Sequence, residues 1–156
     1  MTVLSRRGFT SVAVCVVVGA ALAGCGSSPT EPSSAPFSQT DVRAGTGADA
    51  VAGKAVTVHY TGWLYDASKT DNKGVQFETS VGGTPFSFTL GLGQVISGWD
   101  RGVAGMKVGG VRRLVIPPSL AYGPTARFNS DGEEVIPANS TLIFDLELVA
   151  TQESVQ

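Results

Sequence analysis

From Lys54 onward, Val56, Val58 and Tyr60 alternate with Thr57, His59 and Thr61, the two-residue period of a strand with one apolar and one polar face. Val75 and Phe77 repeat it around Gln76. After Gly82-Gly83 it returns as Phe86, Phe88 and Leu90. Residues 111–116 give a further strand, stopped by Pro117-Pro118, which cannot donate ladder hydrogen bonds. Leu142, Phe144, Leu146 and Leu148 set an apolar face against Ile143, Asp145 and Glu147 in the last. One segment breaks the period: Val95, Ile96, Trp99, Val103 and Met106 fit one face of a short helix. Gly98, Gly102 and Gly105 lie in or beside it, each costing about 1 kcal/mol against alanine, so that helix needs a sheet to cover it. The expected fold class is α+β: an antiparallel sheet curled over one short α-helix.

Two polar, glycine-bearing connections, residues 65–74 and 124–134, are long for a small domain, and connections of this length often carry function. Glycine and proline, at 20 and 8 residues, fit many turns between short strands. Apolar residues at 42% and charged residues at 15% are enough for one globular core.

The first residues carry a different pattern. Arg6 and Arg7 precede an apolar run over residues 12–22, too short to span a bilayer comfortably, and small residues follow. Leu22-Ala23-Gly24-Cys25 resembles the lipobox of bacterial lipoproteins, which implies cleavage after residue 24 and a lipid on Cys25; a plain secretory signal with an incidental cysteine is the other reading. Ser5-Arg6-Arg7-Gly8-Phe9 also resembles a twin-arginine signal, so Sec and twin-arginine export both stay open. The serine- and proline-rich stretch after Cys25 cannot bury enough apolar surface to order itself. The expected organisation is a signal over 1–24, a lipidated flexible spacer over 25–40, one domain over 41–150 and a tail over 151–156. Such a chain would sit in the cell envelope, anchored to a membrane on its extracytoplasmic side.

Charge and chemistry then exclude several classes. Eleven basic groups less Arg6 and Arg7 leave nine against thirteen acidic ones, a poor match to nucleic acid. With Cys15 in the signal and Cys25 acylated, no thiol remains for a disulfide or a nucleophile. His59 is the one histidine, which leaves no metal site and no histidine-based nucleophile system. Gly91-Leu92-Gly93 lacks a phosphate-loop context and reads as a turn; Glu133-Glu134 reads as a solvated pair. No cofactor is expected, and nothing in the sequence marks a dimerising surface. What remains is aromatic: Tyr60, Phe77, Phe86, Trp99, Tyr122 and Phe144 are either a plain core or a pocket whose rim uses the polar tips of Tyr60, Trp99 and Tyr122.

Val58-His59-Tyr60-Thr61-Gly62, Val95-Ile96-Ser97-Gly98-Trp99, Gly102-Val103-Ala104-Gly105-Met106, Ala121-Tyr122-Gly123, Ile136-Pro137 and Thr141-Leu142-Ile143-Phe144-Asp145 resemble, in order and spacing, the FKBP-type peptidyl-prolyl cis-trans isomerases. The resemblance covers nearly all of 53–149, and it implies the sheet-over-helix fold and an apolar pocket between helix and sheet. It makes Trp99 the pocket floor and Tyr60, Phe77, Phe86 and Phe144 its walls. Val95 and Ile96 would form the rim, with the Ile96 N–H offered to a substrate carbonyl; Tyr122 would be a hydroxyl donor and Ile136 an apolar contact beside it. Glu78 stands where the family usually has aspartate, one methylene shorter, which bears on hydrogen bonding to Tyr60 and on affinity for rapamycin-type macrolides. The partners implied are proline-containing peptides and exported client proteins, met by a monomer. Two further readings are a tethered chaperone-like binding module with little turnover, and a purely structural envelope protein; the second does not need Tyr60, Trp99 and Tyr122 in these contexts.

Overall fold

The computed structural model describes residues 34–153. The signal, Cys25 and most of the spacer, with the last three residues of the tail, lie outside the described residues. Eight strands and one α-helix follow in chain order: β1 (Ser38–Arg43), β2 (Lys54–Tyr65), β3 (Lys73–Thr79), β4 (Phe86–Thr89), α1 (Ser97–Val103), β5 (Val111–Ile116), β6 (Arg127–Phe128), β7 (Glu134–Ile136) and β8 (Leu142–Glu153). The main sheet runs β1-β5-β8-β2-β3, with β4 on β2 as well, and every pairing is antiparallel. β3 and β4 share one edge of β2, at Thr61 to Tyr65 and at Ala55 to Val58 respectively. Register shifts interrupt β2 against β8 at Thr57/Val58 and against β3 at Gly62/Trp63. Such bulges bend a strand and increase its twist, which is how a short sheet curls around one helix.

The concave face carries the core. Val56, Val58, Leu114, Ile116, Leu142, Leu146 and Leu148 are all fully buried and pack with Trp99, Val103 and Met106 from α1 and its end. The helix glycines have a packing reason. A Cβ on Gly98 would stand 2.4 Å from Ile116 Cγ2, and one on Gly102 2.4 Å from Leu114 Cδ1. Only hydrogen at these positions lets the helix lie this close to β5.

Arg112 faces inward between the helix end and the sheet, where an alternating strand would place an apolar residue. Its guanidinium donates to the carbonyls of Gly102 (2.9 Å) and Ala104 (3.1 Å), and to both oxygens of Asp41 (2.6 and 3.2 Å). One charged group thus caps α1 and ties β1 to the sheet. Arg43 adds a bond to Glu147 across β1 and β8. These bonds explain an edge strand that hydrophobic periodicity misses: all six residues of β1 are exposed. Its start at Ser38 lies inside the stretch assigned to the spacer, and β8 continues past residue 150.

Two pattern readings are corrected. Ile143, assigned to the polar face of β8, is fully buried, because its register neighbours on the outer face are Trp63 and Val115. Val75, assigned to the apolar face of β3, is 69% exposed, since the bulges shift β3 against β2. Beside Ile143 on the outer face, Asp145 accepts from Arg113 (2.8 Å) and Lys73 (2.6 Å), and the Lys73 ammonium lies 3.8 Å from the Trp63 ring centre.

Burial alone would push the Asp145 carboxyl up, but the hydrogen bonds from Arg113 and Lys73 outweigh it and hold the group below its usual value. Asp41 is lowered first by its bond to Arg112. A carboxyl depressed by folding stabilises the protein above its unfolded pKa, and that stability is lost as pH falls through the folded one. Thermal melts from pH 7 downward should therefore show Tm falling once pH drops below about 4. Asp145→Asn should lower Tm at pH 7 and flatten the acid limb; an unaltered limb in that variant would separate Asp145 from acid unfolding.

Candidate active site

A cavity of about 600 Å³ opens between the N-terminal end of α1, the sheet and the 121–127 segment. Trp99 reaches it from the helix, Tyr60 from β2, Phe144 from β8 and Phe86 from β4. The Trp99 ring is 4.9 Å from Tyr60 and 5.2 Å from Phe144 between centroids, both edge-on at 74° and 88°. Phe86 closes a third side at 6.1 Å from Trp99. Edge-to-face contacts of this kind fix ring planes, so the floor and walls are built before anything binds. Trp99 is 5% exposed and its indole N–H has no hydrogen-bond partner among the described residues, so packing against these rings, Phe88 and the apolar core positions it.

Phe77 and Ile136 depart from the expected arrangement, for neither lines the cavity. Phe77 packs edge-on against Phe144 at 5.6 Å, behind the wall. Gly62 makes that possible: a Cβ there would fall 2.6 Å from Phe77 and 2.8 Å from Phe144. Ile136 is 5% exposed in the core, where it anchors β7. The other expected residues, Tyr60, Glu78, Phe86, Val95, Ile96, Trp99, Tyr122 and Phe144, come together around one space.

The polar groups of the rim divide into committed and free. Burial first, and then a hydrogen bond to Glu78, push the Tyr60 hydroxyl well above the usual tyrosine range. The Glu78 carboxylate thus reaches close enough to act on the Tyr60 hydroxyl, its extra methylene included. Tyr122 is raised mainly by burial, against the pull of Arg127, and its hydroxyl has no hydrogen-bond partner among the described residues. Ile96 lies just before α1, and its carbonyl accepts from Trp99 N (2.9 Å) and Asp100 N (3.3 Å). Its N–H has no partner among the described residues. One free backbone donor and one free hydroxyl thus flank an aromatic floor.

The rim is held rigidly. The Asp100 carboxylate accepts from Gly91 N (2.9 Å) and Gly93 N (3.0 Å), so the 91–93 segment is a turn whose two glycine N–H groups are already occupied. Gln94 Oε1 accepts from Thr89 N. His59 Nδ1 lies 3.2 Å from Ser80 Oγ, and that oxygen also accepts from Tyr60 N, a structural role next to the site. No cluster of potential metal ligands occurs among the described residues.

Sequence reasoning missed Arg127, Thr125, Ala121 and Gln94, which also line the cavity. Arg127 and Thr125 lie in the 124–134 connection, which is not a plain loop but carries β6, paired with β7 through Arg127↔Ile136 and Phe128↔Glu134. Two- and three-residue strands are too short to show a period. The only signal was the length of the connection.

Comparison with known proteins places these features in a family. Residues 47–149 match the model of the FKBP-type peptidyl-prolyl cis-trans isomerases. The chain is 46% identical over 113 residues to an FK506-binding protein of Neisseria meningitidis serogroup B, covering 72% of this chain and 94% of that protein. It is 49% identical over 98 residues to FK506-binding protein 2 of Dictyostelium discoideum, covering 62% and 65% of the two chains. Among solved structures it is similar to AtFKBP13, with a TM-score of 0.63 and 36% identity over 74% of this chain and 93% of the other. The curled sheet, the single helix against it and the matched span give one conclusion: this chain belongs to the FKBP-type peptidyl-prolyl cis-trans isomerase family.

Proposed function

We propose that the cavity between α1 and the sheet isomerises X–Pro bonds of exported proteins by holding the amide in its twisted form. Rotation about the bond meets a barrier of about 20 kcal/mol because amide resonance is lost on twisting. No bond breaks, so the site need only bind the twisted amide better than the planar one. The proline ring rests on Trp99 between Tyr60 and Phe144. The Ile96 N–H and the Tyr122 O–H hold the backbone on either side, which restricts the bound peptide to geometries near the twist. A twisted amide has less charge separation than a planar one, so transfer from water into an apolar cavity favours it. Glu78 keeps the Tyr60 hydroxyl engaged and its ring in place. The observation that carries this reading is the pair of unpartnered donors, Ile96 N–H and Tyr122 O–H, flanking the Trp99 floor.

No step moves a proton, and both tyrosines at the site are shifted up from the usual tyrosine range. The rate with a Leu-Pro peptide should therefore be flat between about pH 6 and 9. Tyr122→Phe should lower it about fivefold at every pH, the worth of one hydrogen bond. A rate that titrates inside that window, or an unaffected Tyr122→Phe variant, contradicts these roles.

We read Leu22-Ala23-Gly24-Cys25 as the lipid attachment site and Arg6-Arg7 with the apolar run after them as the export signal, by Sec or the twin-arginine route. The domain then works outside the cytoplasmic membrane, tethered through Cys25, on client proteins that arrive unfolded. FK506- and rapamycin-type macrolides are the expected small ligands of the same cavity. A second reading, a tethered module that holds clients with little turnover, has its support in Phe128 and Phe86, 60% and 42% exposed on β6 and at the cavity. It predicts client binding without faster isomerisation.

A further inference from the structure

Of the residues that line the cavity, two carry charge, Glu78 and Arg127. Their situations differ. Glu78 shares the cavity wall with the Tyr60 hydroxyl and acts on it. Arg127 makes no hydrogen bond and no ion pair among the described residues; its guanidinium lies 4.4 Å from the centre of the Tyr122 ring. The acidic side chains of the same hairpin do not neutralise it. Glu133 accepts from Asn129 Nδ2, Glu134 stands opposite Phe128, and Asp131 forms no ion pair among the described residues. Asp100, below the rim, is occupied by the Gly91 and Gly93 N–H groups.

The position of Arg127 is built. Its cross-strand partner Ile136 is buried in the core, which anchors β6 to the domain. Contact with the Tyr122 ring occupies one face of the guanidinium and leaves its N–H donors open, and a stacked guanidinium loses little entropy when it then grips a carboxylate. The hydroxyl of the same Tyr122 is the free donor of the rim, so the cation stands next to the place where a peptide backbone is held.

We propose that Arg127 makes the cavity selective for X–Pro segments with an acidic side chain directly beside the proline. The inference rests on the reading of this cavity as the X–Pro site and adds to it a substrate class: acidic segments are favoured, and basic ones are disfavoured by the same charge. Because Arg127 is solvent-exposed, the discrimination is that of a surface ion pair and weakens with salt.

The test uses short peptides with Glu, Gln or Lys directly before proline, and a second series with the same residues directly after it. Both kcat/KM and binding, followed by tryptophan fluorescence, are measured on the full chain and its Arg127→Gln and Arg127→Lys variants. In one of the two series the unaltered protein should prefer Glu over Lys by about fivefold at low salt. Arg127→Gln should bring that ratio close to one, and Arg127→Lys should retain most of it. Equal values for Glu and Lys in both series, a preference that survives Arg127→Gln, or a loss in that variant equal for acidic, neutral and basic peptides would overturn the proposal; the last would make Arg127 a support for Tyr122 alone. Charge-selective binding without turnover would remove the isomerase reading and keep the selection by Arg127. Turnover without charge preference would do the reverse.

Discussion

Gly102→Val should destabilise the protein by about 3 kcal/mol, the upper range for overpacking a core, and lower Tm by about 10 °C. A single Cβ at this position already meets Leu114 Cδ1 at 2.4 Å and Cδ2 at 2.6 Å, and the two methyls of valine project further. Leu114 is fully buried on β5 and cannot retreat without disturbing the central strands of the sheet. Valine is the better helix former, by a few tenths of a kcal/mol, a gain too small to compensate. Denaturant titration reads the difference as a shift of midpoint. An unchanged midpoint would mean that the helix does not need its close approach to β5. The same displacement would move Ile96 and Trp99 relative to Tyr60, so residual folded variant should also be a poorer catalyst.

Trp99→Ala is expected to lower kcat/KM for a Leu-Pro peptide by about a hundredfold, the scale on which misplacing a bound substrate by an ångström acts. The floor of the cavity disappears, and with it the edge contacts that orient Tyr60, Phe86 and Phe144. Stability should fall as well, by about 3 to 5 kcal/mol for a large aromatic removed from a core. Trp99→Leu separates the two effects. It fills more of the space and keeps more of the stability, yet it lacks the flat surface on which a proline ring rests. A rate that recovers in Trp99→Leu in proportion to stability would reduce Trp99 to a core residue.

The sheet-over-helix plan was legible because five strands and one helix are long enough to show a period. β2 and β8 alternate on their concave faces, β5 does so from Leu114 onward, and Trp99, Val103 and Met106 mark one face of α1. Periodicity failed where burial is not what holds an element. β1 is exposed along its whole length and is kept by Arg112–Asp41 and Arg43–Glu147, contacts between residues far apart in sequence. Ile143 was misassigned because the outer face of the sheet is locally covered, which no alternation reveals. The helix glycines looked like a pure cost until the distance to Ile116 and Leu114 gave them a function.

The site divides in the same way. Tyr60, Trp99 and Phe144 lie on regular elements whose faces were predictable, and they meet as expected. Phe77 shares an inward face with them but is displaced behind Phe144 through the gap at Gly62, a relation between strands rather than along one. Arg127 and Thr125 sit on a hairpin of minimal strands, where register is set by tertiary contacts with Ile136. Connections of this kind vary most readily on a constant scaffold, and this one brings the uncommitted cation of the cavity.

The most direct measurement is the cis-to-trans relaxation of a short apolar-Pro peptide at 10 °C, with and without the protein at micromolar concentration. Uncatalysed, that relaxation takes minutes at this temperature. The expected result is an acceleration proportional to protein concentration, reduced by both Trp99→Ala and Tyr122→Phe. A folded protein that binds the peptide and leaves its relaxation time unchanged would contradict it.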